Sequence, residues 1–178
     1  MNPLVHRLPQ SLVIDSKHYK IDTSHRAWVN VARILSDEID DLSLALVCKA
    51  ISLEPPNEPQ GLIEAITDFL SAGQEKSKGG KRVFDWDEDA HRVIAAFQHD
   101  YGIDLTAENM HWYRFMYLFN GLSKDTELVQ AISWRSTPRP KDSKHNKDEL
   151  ARWKSIQKVY KLKPRTAEQR RAEIESEW

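Results

Sequence analysis

The first candidate for chemistry in this sequence is a doubled Glu-x-x-His motif, Glu88–His91 and Glu108–His111. Two such motifs, with two further glutamates, build di-iron sites in four-helix bundles. Here both motifs are expected in the first turns of consecutive helices joined by a short loop. If these helices are antiparallel, a rise of about 1.5 Å per residue and about 8–10 Å between axes place the two histidines too far apart for one cluster. We therefore predict no metal site and interpret both glutamates as acids that stabilise helix N-termini.

Sequence patterns of catalysis are also missing. The chain contains seven histidines, but neither a GxSxG nucleophile elbow nor an HExxH zinc motif. Clustered acids such as those at 87–89 are interpreted as helix-end charge. The single cysteine, Cys48, excludes an intramolecular disulfide and lies in the apolar run LALVCKAI, where a small buried residue is expected. The sequence therefore predicts no catalytic residue, no cofactor and no enzyme.

A segment rich in glycine and lysine, QEKSKGGKR at residues 74–82, holds the residue types of a phosphate-binding loop. The GxxxxGK[ST] order is absent, however, and no apolar strand leads into the segment. A polar segment without apolar residues is typical of a flexible linker, and a linker is what we predict here.

Two predicted helices on either side of YGIDLT have the order of a helix-turn-helix unit. In such a unit the second helix enters the major groove of DNA with polar and basic side chains outward. The second helix here offers Arg114 as its only basic residue and is mostly aromatic. We therefore do not expect this unit to bind DNA.

Hydrophobic spacing in the first 73 residues predicts a hairpin followed by three helices. SLVIDSKHYKID reads as a short β-hairpin, because apolar residues alternate in each arm and residues 15–17 supply a turn. Helices are predicted after a cap at Thr23 or Ser24, from Leu42 to Ile51, and from Pro59 to a stop at Gly73.

The stretch from Val83 to Arg135 holds three of the six tryptophans and three predicted helices with short connections, which favours an antiparallel three-helix core. Asp85 with Glu88 is predicted to form a capping box, while Thr106 and Ser123 are predicted to cap the next two helices. The predicted structural core of the protein comprises Trp28, Phe97, Tyr101, Trp112, Phe115, Met116 and Phe119.

The basic end of the chain is residues 138–178, which carry a net charge of +5 in a protein of net charge −1. A helix is predicted from Lys147 to Leu162. A last helix, capped by Thr166 and Gln169, is too polar for the core and is expected to project. Aromatic side chains left exposed near this end are candidates for protein contact, and the predicted contact residues are Trp134, Arg135, Trp153, Tyr160 and Trp178.

The predicted fold is mainly α, a multi-helix bundle with a small N-terminal β-hairpin and a projecting C-terminal helix. Its predicted parts are the hairpin and helices at 1–73, the linker at 74–82, the three-helix core at 83–137 and a basic helical extension at 138–178, which together make one compact domain with an extension. No apolar run approaches the roughly 20 residues that span a bilayer, so no membrane partner is expected.

Four stretches of the chain are together similar to one family of tailed-phage proteins. They are LPQSLVIDSKHYKIDTSHRAWVNV, FDWDEDAHRVIAAFQHDYGIDL, MHWYRFMYLFNGLSKDTELVQAISWRS and KVYKLKPRTAEQRRAEIESEW. In these motifs the chain resembles the phage gp-fifteen family over nearly its full length. It departs from the family pattern at Tyr113 and Arg114, which stand where tryptophan and lysine are usual, and at residues 15–17, where a Gly-Lys turn is usual.

The resemblance implies a non-enzymatic protein of siphophage tail morphogenesis, because the role given to this family is that of a tail assembly chaperone. Such a protein would bind the tape-measure protein in the host cytoplasm, with the tail-tube protein as a further partner. We expect a homo-oligomer, since weak contacts along a long helical client gain from multivalency. Two alternatives remain open: a structural component of the virion, such as a neck, tail-completion or tail protein, and an accessory protein that binds nucleic acid through residues 139–171. Nucleic acid is the less expected partner.

Overall fold

The structure is a computed structural model that describes residues 2–36, 40–54, 61–74, 81–142, 146–164 and 166–176. Within these residues the chain forms one two-stranded antiparallel sheet and eight α-helices. The elements are β1 (Ser11–Ile14), β2 (Lys17–Lys20), α1 (His25–Ile34), α2 (Asp41–Ala50), α3 (Leu62–Leu70), α4 (Ala90–Tyr101), α5 (Trp112–Asn120), α6 (Glu127–Ser136), α7 (Lys147–Tyr160) and α8 (Ala167–Ser176). The predicted mainly α class with a small N-terminal β-hairpin is therefore confirmed.

The hairpin of β1 and β2 closes through a two-residue turn at Asp15 and Ser16. Their φ angles are 47° and 63°, and Ile14 lies opposite Lys17 across the turn. Two positive φ angles in succession match the right-handed twist of the strands, and aspartate tolerates this region better than most residues. Because β-strand side chains alternate, Leu12 and Ile14 both face inward, and the hairpin buries them as β1 packs on α3.

The chain packs into two compact units that are both discontinuous in sequence. Unit 1 comprises residues 1–78, 106–120 and 165–178, and unit 2 comprises residues 79–105 and 121–164. Helix α5 therefore belongs to unit 1, whereas α4 and α6 pack on each other in unit 2. This differs from the antiparallel pile of all three helices that short connections favoured. The predicted domain boundaries stay predictions, because packing within one chain does not test which parts fold alone.

Helix α1 is the centre of unit 1, where it packs against α2, α3, α5 and α8. Its Trp28 is fully buried and stacks on Phe69 with 4.3 Å between ring centroids. The Trp28 indole Nε1 donates a hydrogen bond of 2.8 Å to the Asp22 carbonyl, so the polar atom of this buried ring is satisfied. Of the two predicted caps, Ser24 is the one that accepts the Ala27 N–H.

The start of α5 is fixed by backbone pairing with the segment before α1. His25 N–H donates to the Met110 carbonyl at 2.8 Å, and Trp112 N–H donates to the Thr23 carbonyl at 2.7 Å. This pairing holds residues 110–112 in an extended form, so α5 begins at Trp112. The predicted cap at Thr106 is therefore wrong, and its carbonyl instead accepts a hydrogen bond from Arg26.

In unit 2, α6 packs against both α4 and α7. The cap of α6 is Thr126, whose Oγ1 accepts the Val129 N–H at 3.4 Å. The predicted cap, Ser123, is instead bound by Asp100, which accepts its N–H at 2.7 Å and its hydroxyl at 2.9 Å. The end of α4 follows the prediction, since Gly102 has a φ of 67° and its N–H donates to the Gln98 carbonyl.

Helix α8 does not project as its polarity suggested. It lies against α1 and buries Ile174, which is 6% exposed. One apolar anchor is enough to dock a short helix whose other described side chains face solvent. Its predicted capping box is present, since Thr166 Oγ1 accepts the Gln169 N–H and Gln169 Oε1 accepts the Thr166 N–H.

The predicted core residues divide into two groups. Trp28, Phe97, Trp112 and Phe115 are at most 1% exposed, and each lies near the middle of its own unit. Tyr101, Met116 and Phe119 are half-buried.

Candidate protein-interaction site

Four of the five predicted contact residues come together in unit 2. Trp134 and Arg135 lie in the last turn of α6, while Trp153 and Tyr160 lie on the face of α7 that packs against it. Both tryptophans and the tyrosine are half-buried. The fifth, Trp178, lies outside the described residues, as do residues 75–80 of the predicted linker.

Arg135 is buried rather than available for contact, with 4% of its surface exposed. Its two terminal nitrogens bind the Asp89 carboxylate at 2.6 and 3.0 Å, a bidentate pair in which Asp89 is fully buried. Its Nε donates to the Tyr160 carbonyl at 2.5 Å, and Nη1 also donates to the Val83 carbonyl at 3.0 Å. The prediction that Arg135 contacts a partner is therefore corrected. This side chain holds α6 to the start of α4 and to the end of α7.

Asp89 is also the acid that completes the start of α4. Asp85 Oδ1 accepts the Glu88 N–H at 2.8 Å, as the predicted capping box requires. The return bond comes from Asp89, whose Oδ2 accepts the Asp85 N–H at 3.1 Å, and not from Glu88. Arg92 donates to Asp89 Oδ1 at 3.0 Å. Two guanidinium groups and one backbone amide thus satisfy a carboxylate that burial alone would make costly.

The C-terminal carbonyls of α6 accept hydrogen bonds from side chains elsewhere in unit 2. Gln157 of α7 donates to the Trp134 carbonyl at 2.6 Å, and Trp153 Nε1 donates to the Thr137 carbonyl at 3.3 Å. Lys81 donates to the Arg135 carbonyl at 2.8 Å. The last carbonyls of a helix lack i+4 partners, and the bonds from Gln157 and Trp153 use such carbonyls to hold α7 against the end of α6.

The first turn of α7 carries Asp148 and Glu149, whereas the rest of the helix and the residues that follow it are strongly basic. Residues 150–164 contain one arginine, four lysines and no acid. All five cations are exposed, and none of them makes an ion pair with a described residue. Val159 lies beside them and is 72% exposed. We call this surface the cationic face; it comprises Arg152, Lys154, Lys158, Val159, Lys161 and Lys163.

Sequence reasoning found the net positive charge of this end but missed the cationic face itself. The acid-free run at 150–164 was the available signal, whereas the exposure of Val159 depends on which face of α7 packs on α6. The roles of Asp89, Lys81 and Gln157 had no sequence signal, because each depends on a partner between 23 and 54 residues away.

Unit 1 carries a separate open groove with a volume of about 730 Å³. It is lined by Pro9, Val13, Phe69 and Tyr113, among others, and Tyr117 lies at the same groove. Val13 is 53% exposed and Tyr117 is 36% exposed. Burial, followed by the Tyr117 hydroxyl and Asp68, raises the pKa of Tyr113 above its usual value, so its hydroxyl is protonated at neutral pH.

The two Glu-x-x-His motifs serve structural roles. Glu88 accepts the Lys163 N–H with both carboxylate oxygens, each at 3.0 Å. His111 bonds the Pro9 carbonyl through Nε2 at 2.8 Å and accepts the Tyr113 N–H at Nδ1, which fixes its neutral tautomer. Neither glutamate is the first-turn acid that was predicted, because Glu88 precedes α4 by two residues and Glu108 precedes α5 by four. Among the described residues, no group of three or more His, Cys, Asp or Glu is placed to hold a metal ion.

Two histidines of unit 1 have a pKa below their ordinary value. Burial lowers the pKa of His25, with Arg26 adding to the shift, and the ring stacks on Phe115 at 5.3 Å. Burial also lowers the pKa of His111, and the bond to the Pro9 carbonyl opposes part of this shift. Both rings are therefore neutral at pH 7.

The described part of the chain is a mainly α fold with a buried ion pair in unit 2 and an exposed basic surface along α7. None of the described helices is both long and apolar enough to cross a membrane. Residues 60–162 match the family described as Bacteriophage Gp15 protein. The match covers more than half of the chain, so the chain belongs to this family.

Membership of the Gp15 family makes this a phage protein of the structural or morphogenesis type, and the family is not a known enzyme family. The predicted resemblance is thereby confirmed for the two central motifs, which lie within the matched residues. No curated protein and no solved structure shows significant similarity to the chain.

Proposed function

We propose that this phage protein is a tail assembly chaperone, which binds the tape-measure protein during tail morphogenesis and has no catalytic activity. The observation that carries the proposal is the family match over residues 60–162, together with the similarity of the flanking motifs to the same family. In this proposal the protein works in the host cytoplasm and contacts the tail-tube protein as a second partner. Several copies act on one client, because a long helical protein offers repeated weak sites.

Two surfaces support a binding role. The cationic face offers charge beside an exposed valine, and the groove of unit 1 offers apolar and aromatic side chains to a client segment. Without a binding partner, a client with exposed apolar helices would aggregate, since large exposed apolar patches drive association. A carrier that covers such patches transiently keeps the client soluble.

Co-expression with the tape-measure protein of the same phage tests this function. We expect the two chains to purify together through an affinity tag on either one, and the tape-measure protein to become insoluble when this chain is absent. A tape-measure protein that is equally soluble without this chain, and that does not purify with it, would sink the proposal.

The second candidate is a permanent structural component of the virion, which the structural type of the family also supports. Mass spectrometry of purified phage particles separates the two functions. A chaperone is absent from mature particles or present only in traces, whereas a neck, tail-completion or tail protein is present in fixed stoichiometry.

A further inference from the structure

We propose that the cationic face binds an acidic amphipathic helix of a partner protein, with Val159 against the apolar stripe of that helix. The proposal rests on the proposed function and deepens it, because it names the surface of this chain and the chemistry of the client segment.

None of the five cations of this face makes an ion pair within the described part of the chain. The acids near them are Glu88, which bonds the Lys163 backbone N–H, and Asp148 and Glu149 in the first turn of α7. Lys154 and Lys158 are four residues apart on α7, so their side chains lie one above the other on the same side of the helix. A partner helix with glutamates at the same spacing presents one carboxylate to each ammonium group. Cations near a helix C-terminus are favourable by themselves, which accounts for Lys158 and Lys161. It accounts neither for Arg152 and Lys154 nor for an exposed valine among them.

The opposite side of α7 is already committed to its own unit. Leu150 is buried, Trp153 bonds the Thr137 carbonyl, and Gln157 bonds the Trp134 carbonyl. These contacts fix the direction in which the cationic face points before any partner arrives. A pre-organised face loses little entropy on binding, which favours affinity for a helix of matching charge.

Nucleic acid fits this face less well than an acidic helix does. The half-buried aromatic rings of α7, Trp153 and Tyr160, lie on the side that packs on α6, so they are not free to stack on bases. Val159 has no hydrogen-bonding group to offer a phosphate, whereas it matches the apolar stripe of an amphipathic helix.

Fluorescence anisotropy with synthetic probes tests the proposal on the full-length protein. The first probe is a labelled helix of about 21 residues with leucine along one stripe and glutamate beside it, which makes three heptads. The second is a peptide of the same composition in shuffled order, and the third is duplex DNA of similar total charge. We expect the amphipathic acidic helix to bind at physiological salt at least about tenfold more tightly than the shuffled peptide.

Two variants of the face and one matched control locate the binding. Lys154→Glu/Lys158→Glu should weaken binding of the acidic helix by about tenfold or more, because two attractions become repulsions. Val159→Ser should weaken it by a smaller factor while leaving any DNA binding unchanged. Lys17→Glu/Lys20→Glu makes the same charge change on β2 and should leave binding unchanged. All substituted positions are exposed, and circular dichroism checks that the variants fold.

Three results would overturn the proposal. The first is no binding of the acidic helix, or binding that the reversal at 154 and 158 does not weaken. The second is tighter binding of DNA that is insensitive to Val159→Ser, which assigns the face to nucleic acid. The third is self-association of the wild type, seen by sedimentation, that the same reversal abolishes, which assigns the face to a second copy of the chain.

Failure of this inference is distinguishable from failure of the proposed function. If the charge-reversal variant still purifies with the tape-measure protein as well as the wild type does, the proposed function stands and the assigned face is wrong. If the wild type does not purify with the tape-measure protein, the proposed function fails whatever the probes show.

Discussion

At the residue scale, the most consequential feature is the pair of Asp89 and Arg135. Each side chain is almost fully buried, and the two make a bidentate ion pair with bonds of 2.6 and 3.0 Å. A buried pair adds little net stability compared with apolar residues of the same volume, but breaking it is costly because it leaves one charge uncompensated. Here the arginine also satisfies two backbone carbonyls. The pair therefore specifies how α4, α6 and α7 meet in unit 2.

Asp89→Asn should lower the free energy of unfolding by about 3–5 kcal/mol, since it leaves the Arg135 guanidinium buried without a counter-charge. Urea unfolding followed by circular dichroism measures this loss. Asp89→Asn/Arg135→Met should cost less than the sum of the two single changes, because the second removes the orphaned charge. Arg114→Gln changes an exposed arginine and should stay within about 0.5 kcal/mol. Strict additivity of the two single variants would contradict the structural role of the pair.

The second prediction at this scale concerns His25 and His111. Their pKa values in the folded protein lie below the unfolded value of about 6.5. Below that pH the unfolded chain binds more protons than the folded chain, so the free energy of unfolding falls as the pH falls. This contribution is complete above about pH 7.5 and is lost as the pH drops from 6.5 toward the folded pKa values.

Thermal unfolding between pH 8 and pH 5 measures this dependence. His25→Gln/His111→Gln should be less stable at pH 8 but should lose less further stability on acidification than the wild type. His91→Gln removes an exposed histidine of α4 and serves as the control for the loss of a histidine elsewhere in the chain. Equal slopes for the wild type and the double variant would refute the assignment to these two rings.

At the element scale, the first residues of α5 and α6 are set by hydrogen bonds to residues distant in the sequence. Thr106 and Ser123 have the residue type of caps, yet α5 begins at Trp112 and α6 is capped by Thr126. The first difference arises because residues 110–112 pair with the segment before α1. The second arises because Asp100 binds both the N–H and the hydroxyl of Ser123.

Substitutions that remove or keep the side-chain oxygen of Thr126 therefore test the N-cap of α6. Thr126→Ala should lower the free energy of unfolding by about 1 kcal/mol, since the Val129 N–H loses its acceptor. Thr126→Ser keeps the oxygen and should recover most of that loss. Chemical unfolding of the three proteins measures the difference, and a serine variant as unstable as the alanine variant would indicate that the methyl group, and not the cap, is what matters.

At the scale of the whole molecule, residues 138–178 are divided between the two compact units. Helix α7 buries Leu150 and supplies the Gln157 and Tyr160 contacts of unit 2, while α8 buries Ile174 against α1 of unit 1. Removal of this part would expose apolar surface and leave the Arg135 guanidinium without its Tyr160 acceptor. Point changes on exposed positions are therefore the sound way to separate binding from folding.

Deletion of residues 138–178 should lower the midpoint of thermal unfolding strongly and reduce solubility. Deletion of residues 166–178 removes only α8, with its one described buried side chain, and should have a much smaller effect. Differential scanning calorimetry of the two truncated chains and the full chain measures this. A full deletion as stable as the wild type would show that α7 is peripheral.

The sequence by itself determined the helical class, the hairpin and the family. These conclusions follow from local sequence signals, each of which spans only a few residues. The signals are the alternation of apolar residues over 11–21, the helical spacing around Trp28 and the helix-ending glycine at 102. Buried aromatic residues such as Trp112 could also be anticipated, since large apolar rings in a helical pattern seek the interior.

Only the tertiary structure decided which helices share a unit and which side chains are exposed to solvent. The bond between Asp89 and Arg135 joins residues 46 positions apart, and no local pattern encodes it. Because of this ion pair, Arg135, which was predicted to contact a partner, is buried inside unit 2. The packing of α7 on α6 likewise set which residues of a basic segment face solvent. The cationic face exists because Trp153 and Gln157 are held inward, so that Lys154, Lys158 and Val159 point out.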